Sequence, residues 1–150
     1  MSRNILLIGG AGYIGSILTK NFLSKNFTVR CLDSLIYSQS FCIKPFLRRK
    51  NYKFILGDIR DLSKFKNLFK NTTDVIILAG LVGDPITKKY PKESKEINYT
   101  ALKNVIKECK GREIKKVIFV STCSNYGFIR SNDKANENYK LNPLSNYAKY

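Results

Sequence analysis

The chain of 150 residues has no histidine and no tryptophan, only four cysteines and four prolines, and 11 acidic residues against 27 basic ones. Each scarcity removes some chemistry. Without histidine there is no Cys–His nucleophile. The cysteines (Cys31, Cys42, Cys109, Cys123) form no C-x-x-C pair, so no zinc site or other metal centre is expected. They read instead as reduced thiols of a cytoplasmic protein. No apolar run approaches the roughly 20 residues of a membrane span, which argues against a membrane protein. Arg3 ahead of the apolar stretch 5–8 resembles the start of a signal peptide, but no small-residue cleavage site follows. The shortage of acids leaves a formal charge of +16. That charge suits nucleic acid or an anionic membrane. The lysines are scattered along the chain (Lys20, Lys25, Lys64, Lys66, Lys88, Lys89), not stacked on one face, so no nucleic-acid partner is expected. A basic surface favours a small anionic substrate instead.

What is present begins with Gly9-Gly10-Ala11-Gly12-Tyr13-Ile14-Gly15-Ser16. It follows the strand-like run 5–8 and opens a helix-like segment over 14–23. Asp33 stands eighteen residues beyond Gly15, at the end of a second strand over 28–32. A β-α-β unit that binds a dinucleotide has this form. Gly9 allows a sharp turn off the strand. Gly12 leaves room for a pyrophosphate, and Gly15 lets the helix pack closely. The amide groups and positive dipole end of the helix start then hold phosphate charge. A carboxylate at Asp33 would bind the adenosine ribose hydroxyls and repel a 2′-phosphate, which predicts NAD over NADP.

Strand and helix signals alternate from there on. A short helix broken at Pro45 is expected within 42–50, and a third strand over 52–56 ending in Gly57-Asp58. A helix begins at Asp61 with Leu62, Phe65, Leu68 and Phe69 on one face. The unbroken apolar run 75–78 reads as a strand buried on both sides. The segment 79–92, with Gly80, Gly83, Pro85 and Pro91, reads as a loop. A helix over 93–110 turns Ile97, Ala101, Leu102, Val105, Ile106 and Cys109 inward and stops at Gly111. The fifth strand covers 117–120, and a polar loop runs on to Asn142. Five strands with helical crossovers imply an α/β fold built on a doubly wound parallel sheet. Asp33, Asp58, Ala79-Gly80 and Ser121-Thr122 all fall at the carboxyl ends of strands, where such sheets bind ligands.

These residues resemble the extended short-chain dehydrogenase/reductase family, in particular its NAD-dependent nucleotide-sugar epimerases and dehydratases. The likeness covers 1–150, which it implies is an NAD-binding Rossmann-type domain lacking its last strands and its substrate-binding portion. Residues 9–16 look like the family's phosphate loop, which implies Gly9, Gly12, Tyr13, Ile14 and Gly15 at the cofactor. Asp33-Ser34-Leu35 with Ser38 is similar to its adenosine-ribose loop, and Gly57-Asp58-Ile59 to the segment that brackets adenine. Leu78-Ala79-Gly80 resembles the turn against the cofactor's ribose and phosphate. Asn98 falls on the family's helix asparagine near the active site.

The loop 121–127 resembles the family's active-site loop, which implies Thr122 as the catalytic Ser/Thr. Pro143-Leu144-Ser145-Asn146-Tyr147 resembles the lead-in to the tyrosine of Tyr-x-x-x-Lys, 25 residues beyond Thr122. The implied chemistry has Tyr147 take a proton from a sugar hydroxyl while hydride passes to NAD, with Thr122 relaying the proton. The keto-sugar then turns over and is reduced on its other face, which is epimerisation of a nucleotide-sugar. Family dehydratases carry an Asp-Glu pair after the Ser/Thr. Cys123 and Ser124 stand there in this chain, which favours epimerisation over dehydration; a decarboxylase of the same family stays open. The motif lysine would be the residue after Tyr150, and Lys149, one position early, is expected to point about 100° away. A tyrosine without that lysine titrates near pH 10, so the 150 residues alone are expected to be inactive, as a fragment or a truncated protein. The alternative of another class is a non-catalytic NAD-binding or regulatory domain. Family members often dimerise through helices that include the 93–110 one, which implies a homodimer.

Overall fold

The computed structural model describes residues 3–130, 132 and 134–150. Its frame is five strands: β1 (Asn4–Ile8), β2 (Thr28–Asp33), β3 (Tyr52–Leu56), β4 (Asp74–Ile77) and β5 (Lys116–Phe119). All pair in parallel, in the order β3-β2-β1-β4-β5. The chain therefore builds outward from β1 on one side, then returns to build on the other. That reversal opens a crevice at the carboxyl ends of β1 and β4. The expected doubly wound parallel sheet is the one observed.

Strand alternation divides the core in two. Leu6, Ile8, Val75 and Ile77 face a layer containing Leu68, Ala101 and Val105. Ile5, Leu7, Val29 and Cys31 face the opposite layer, which contains Leu23 and Tyr52. Each aliphatic side chain enclosed this way stabilises the fold by about 1.5–3 kcal/mol. Helix α1 (Tyr13–Ser24) supplies Leu23 to the second layer. Burial also pushes the Cys31 thiol up to about 12, so it is neutral at every physiological pH.

Four elements differ from the sequence expectation. Helix α2 (Asp84–Lys89) lies within the segment read as a loop. Its Pro85 occupies the first turn, where the missing N–H costs nothing, so the residue that looked like a breaker is a helix starter. Pro91 does the same for α3 (Pro91–Lys95), which runs through a π-helical stretch (Glu96–Ala101) into α4 (Leu102–Cys109). Of the residues expected inward on this helix, Ile106 is 40% exposed. The expected helix after Asp61 is instead a 3₁₀ segment (Ile59–Lys64), followed by turns through Asn71. The Arg30 guanidinium donates to the carbonyls of Leu68 and Lys70, giving those turns a partner other than a helical amide. Leu68 and Phe69 reach the core all the same. The helix expected within 42–50 is two short 3₁₀ turns, Ser40–Cys42 and Lys44–Phe46.

Candidate functional site

The strand ends open on two adjoining cavities, of about 290 Å³ and 250 Å³, which share residues 78–82 as a common wall. Both lie on the carboxyl side of the sheet.

The first cavity is built on the glycine turn. Gly9 leaves β1 with φ +80°, and a Cβ there would strike the backbone nitrogen of Ala79. Gly15 packs directly on Gly10, so the helix start is drawn against the turn. Around Gly12 the space is open, the nearest atom to a Cβ being the Gly9 carbonyl oxygen at 3.8 Å. Gly12 caps α1 without a side chain, and the first turn holds no acid. The start of this 12-residue helix therefore carries no side-chain cap and no acid of its own first turn.

Asp33 is buried beside this turn. Its Oδ2 accepts from the Ala11 amide at 2.9 Å and its Oδ1 from the Leu35 amide at 2.8 Å. A carboxylate has about four lone-pair sites, so two further donors can be accommodated. Asp58, at the end of β3, caps the following 3₁₀ segment through the Arg60 amide and also takes the Arg60 guanidinium at 2.7 Å. Those bonds hold the Asp58 carboxyl below the usual carboxylate range, and Asp58 in turn raises the Arg60 guanidinium above its ordinary value. Arg60 also reaches Glu96 at 3.4 Å, tying the end of β3 to the π-helical stretch.

The second cavity holds the other candidate groups. Thr122 caps a 3₁₀ turn (Cys123–Tyr126), its Oγ1 accepting from the Ser124 amide at 3.2 Å. Ser145 caps the short helix α5 (Asn146–Lys149), its Oγ accepting from the Ala148 amide at 3.2 Å. That turn sets Tyr147 at the wall of the cavity that Thr122 also borders. Lys149 is also among the residues that border this cavity. Asn98 stands at the same wall with both ends of its amide bonded to Leu81: Nδ2 donates to the Leu81 carbonyl at 2.9 Å, and Oδ1 accepts from the Leu81 amide at 2.8 Å. It holds the shared wall in place.

Of the residues singled out in the sequence, Gly9, Gly12, Tyr13, Asp33, Ser34, Asp58, Ile59, Leu78, Ala79 and Gly80 border the first cavity. Thr122, Tyr147 and Asn98 border the second. Ile14, Gly15 and Ser38 stand outside both borders. Ile14 is half exposed on α1, and Ser38 turns the loop after β2 by donating its amide to the Leu35 carbonyl. Sequence reasoning did not pick out Ile36, Tyr37, Gln39 and Val82, which also border the first cavity. Ile36, Tyr37 and Val82 carried a signal, as apolar or aromatic residues in aperiodic segments after strand ends, whereas Gln39 carried none. Among the described residues no cluster of histidine, cysteine, aspartate and glutamate could hold a metal ion.

A parallel sheet with a glycine turn after β1 and a buried acid ending β2 defines a Rossmann-type dinucleotide-binding domain. The chain belongs to the NAD dependent epimerase/dehydratase family, which it matches over residues 5–150. A dTDP-D-glucose 4,6-dehydratase of Dictyostelium discoideum is 34% identical over 166 residues, which cover 97% of this chain and 37% of that protein. The UDP-glucose 4-epimerase of Thermus thermophilus, solved with NAD, superposes with a TM-score of 0.84 at 26% identity, covering 97% of this chain and 46% of that one. The UDP-Glc/GlcNAc 4-epimerase of Campylobacter jejuni gives 0.89 at 27% identity, covering 99% and 45%. The chain therefore spans less than half the length of these relatives. NAD is the cofactor of the family, and the site fits it. The open cradle at Gly12, the uncapped start of α1 and the spare acceptor capacity of Asp33 suit a pyrophosphate next to a ribose.

Proposed function

We propose that the chain is the NAD-binding part of a nucleotide-sugar epimerase that works by transient oxidation of its substrate. The observation that carries the reading is that Thr122 and Tyr147 border one cavity, which shares a wall with the cofactor cavity. A sugar there would lie beside the cofactor.

When bound, NAD supplies a hydride acceptor that can return the hydride. The start of α1 holds the pyrophosphate charge and Asp33 the ribose hydroxyls, which disfavours a 2′-phosphate at that position. Tyr147 takes the proton from the sugar hydroxyl as the carbon beneath it is oxidised. The Thr122 hydroxyl hydrogen-bonds the reacting oxygen and relays the proton, while the Ser124 amide, bonded to Thr122 Oγ1, fixes its position. Asn98 contributes by holding Leu81 and so keeping the two cavities in register. Epimerisation is favoured over dehydration because Cys123 and Ser124 follow Thr122, and neither provides the acid and base that elimination of water needs.

The test uses the full-length protein with UDP-glucose and with dTDP-glucose. Interconversion of the C4 epimers is expected, and loss of water from the sugar would move the assignment to the dehydratases. Tyr147→Phe should lower kcat by at least about a thousandfold, within the range of positioned acid–base catalysis, with NAD affinity nearly unchanged. Equal loss of both would make Tyr147 a structural residue.

A further inference from the structure

Arg30 of β2 and Lys53 of β3 are paired in register and so share one face of the sheet. Like charges set opposite each other in this way destabilise a sheet. Arg30 donates to the carbonyls of Leu68 and Lys70, which ties the turns through Asn71 to that face. A hollow of about 710 Å³ results, bordered by Arg30, Lys53, Lys64, Lys66 and Lys70 and by no acid. A second hollow, of about 420 Å³, adjoins it and shares Phe65 and Lys66 with it. Arg60, Lys107 and Arg112 border this one, and its one acid, Glu108, is taken by Arg112 at 2.8 Å. Among the described residues Lys53, Lys66, Lys70 and Lys107 have no ion-pair partner. Lysines that are dispersed along the chain are thus collected on one side by the fold. Neither hollow shares a residue with the two cavities at the strand ends.

Unpaired ammonium groups spread over two adjoining hollows suit a ligand that carries several negative charges in series. Lysine is a compact point charge on a flexible stem, so it pairs with phosphate without a fixed geometry. The rings on these borders face inward. Phe69 is buried beneath the Arg112 guanidinium, and Phe54 and Phe65 pack against the two core layers, so little aromatic face is left for stacking a base. A stiff duplex bridges a hollow, whereas a single strand can follow its wall. We propose that the two hollows hold the phosphate backbone of a single-stranded nucleic acid without reading its bases.

The experiment follows the fluorescence anisotropy of a labelled oligouridylate of about 12 nucleotides, titrated with the chain at several salt concentrations, with and without saturating NAD. A Kd between about 1 and 100 μM is expected at physiological salt, the range of binding through phosphates alone. NAD should leave it unchanged. Lys66→Gln combined with Lys70→Gln should weaken binding about tenfold and flatten the slope of log K against log salt by about 1.4, or about 0.7 per phosphate released. Lys20→Gln combined with Lys25→Gln removes the same charge from α1 and the residue after it, outside both hollows, and should change the affinity less than about twofold. Circular dichroism establishes that each variant is folded. An equal loss in the two double variants would reduce the binding to net charge and overturn the proposal. Displacement of the strand by NAD would place it in the cofactor cavity instead. Tighter binding of a duplex with the same number of phosphates would overturn the choice of a single strand, and a Kd above about 1 mM would overturn the proposal outright.

Discussion

At the scale of single residues, the cofactor end of the site is set by two acids in different circumstances. Asp33 is buried with two backbone amides on it and spare capacity, so it can take ribose hydroxyls and repel a phosphate. Asp33→Ala should shift the affinity ratio of NAD to NADP toward parity by about tenfold, or about 1.4 kcal/mol. Parallel titrations with both dinucleotides check this, and an unchanged ratio would remove Asp33 from ribose recognition. Asp58 is held ionised by Arg60, so its carboxyl is depressed in the folded state. Its contribution to stability is present above the ordinary carboxylate value near 4 and is lost as pH falls through the depressed one. Arg60→Met should raise the Asp58 titration toward that ordinary value and destabilise the protein at pH 7 more than at pH 2. Carboxyl carbon shifts followed through an acid titration measure the first effect, and denaturation midpoints at the two pH values measure the second. Both acids were legible in the sequence, because an acid at a strand end is a local pattern. The pairing of Asp58 with Arg60 was not, since it depends on how the 3₁₀ turn folds back.

At the scale of elements, the π-helical stretch Glu96–Ala101 connects the two cavities. Ile97 from this stretch borders one and Asn98 the other. A π stretch widens the helix locally and is frequent at functional sites. Here it carries the asparagine that bonds both backbone groups of Leu81. Asn98→Ala would leave an enclosed N–H and an enclosed C=O unpaired, and should cost about 2–3 kcal/mol, read as a shift in urea midpoint at constant slope. A loss below about 0.5 kcal/mol would mean that the wall does not depend on this clamp. The sequence marked Asn98 by resemblance alone. Residues 79–92 misled for a physical reason. Proline signals a break inside a helix and a start in its first turn, and spacing does not distinguish the two.

At the scale of the whole molecule, the sheet is unevenly covered. β1 and β4 are enclosed, whereas Val117, Ile118, Phe119 and Val120, at and just beyond β5, are each 43–48% exposed. Among the described residues β5 is paired with β4 alone and presents an apolar edge, an arrangement that invites pairing with other chains. The 150-residue chain should therefore self-associate with rising concentration in sedimentation, despite its charge of +16. Ile118→Lys should reduce that association and leave NAD affinity unchanged. A chain that stays monomeric at high concentration would show that this edge is innocuous.

The amino-acid order alone carried the strand count, the parallel arrangement, the glycine turn and the acid ending β2. These follow from local rules: apolar runs of strand length, glycine where a Cβ cannot fit, and carboxylates where strands end. Folding in three dimensions settled which of these residues share a cavity and what each polar group has left to offer. Gln39 and Asn98 illustrate the division. Both are ordinary amides in the sequence, yet one bonds both backbone groups of Leu81 and the oxygen of the other is enclosed without a partner. The difference arises from partners far along the chain or absent, and no local pattern encodes it.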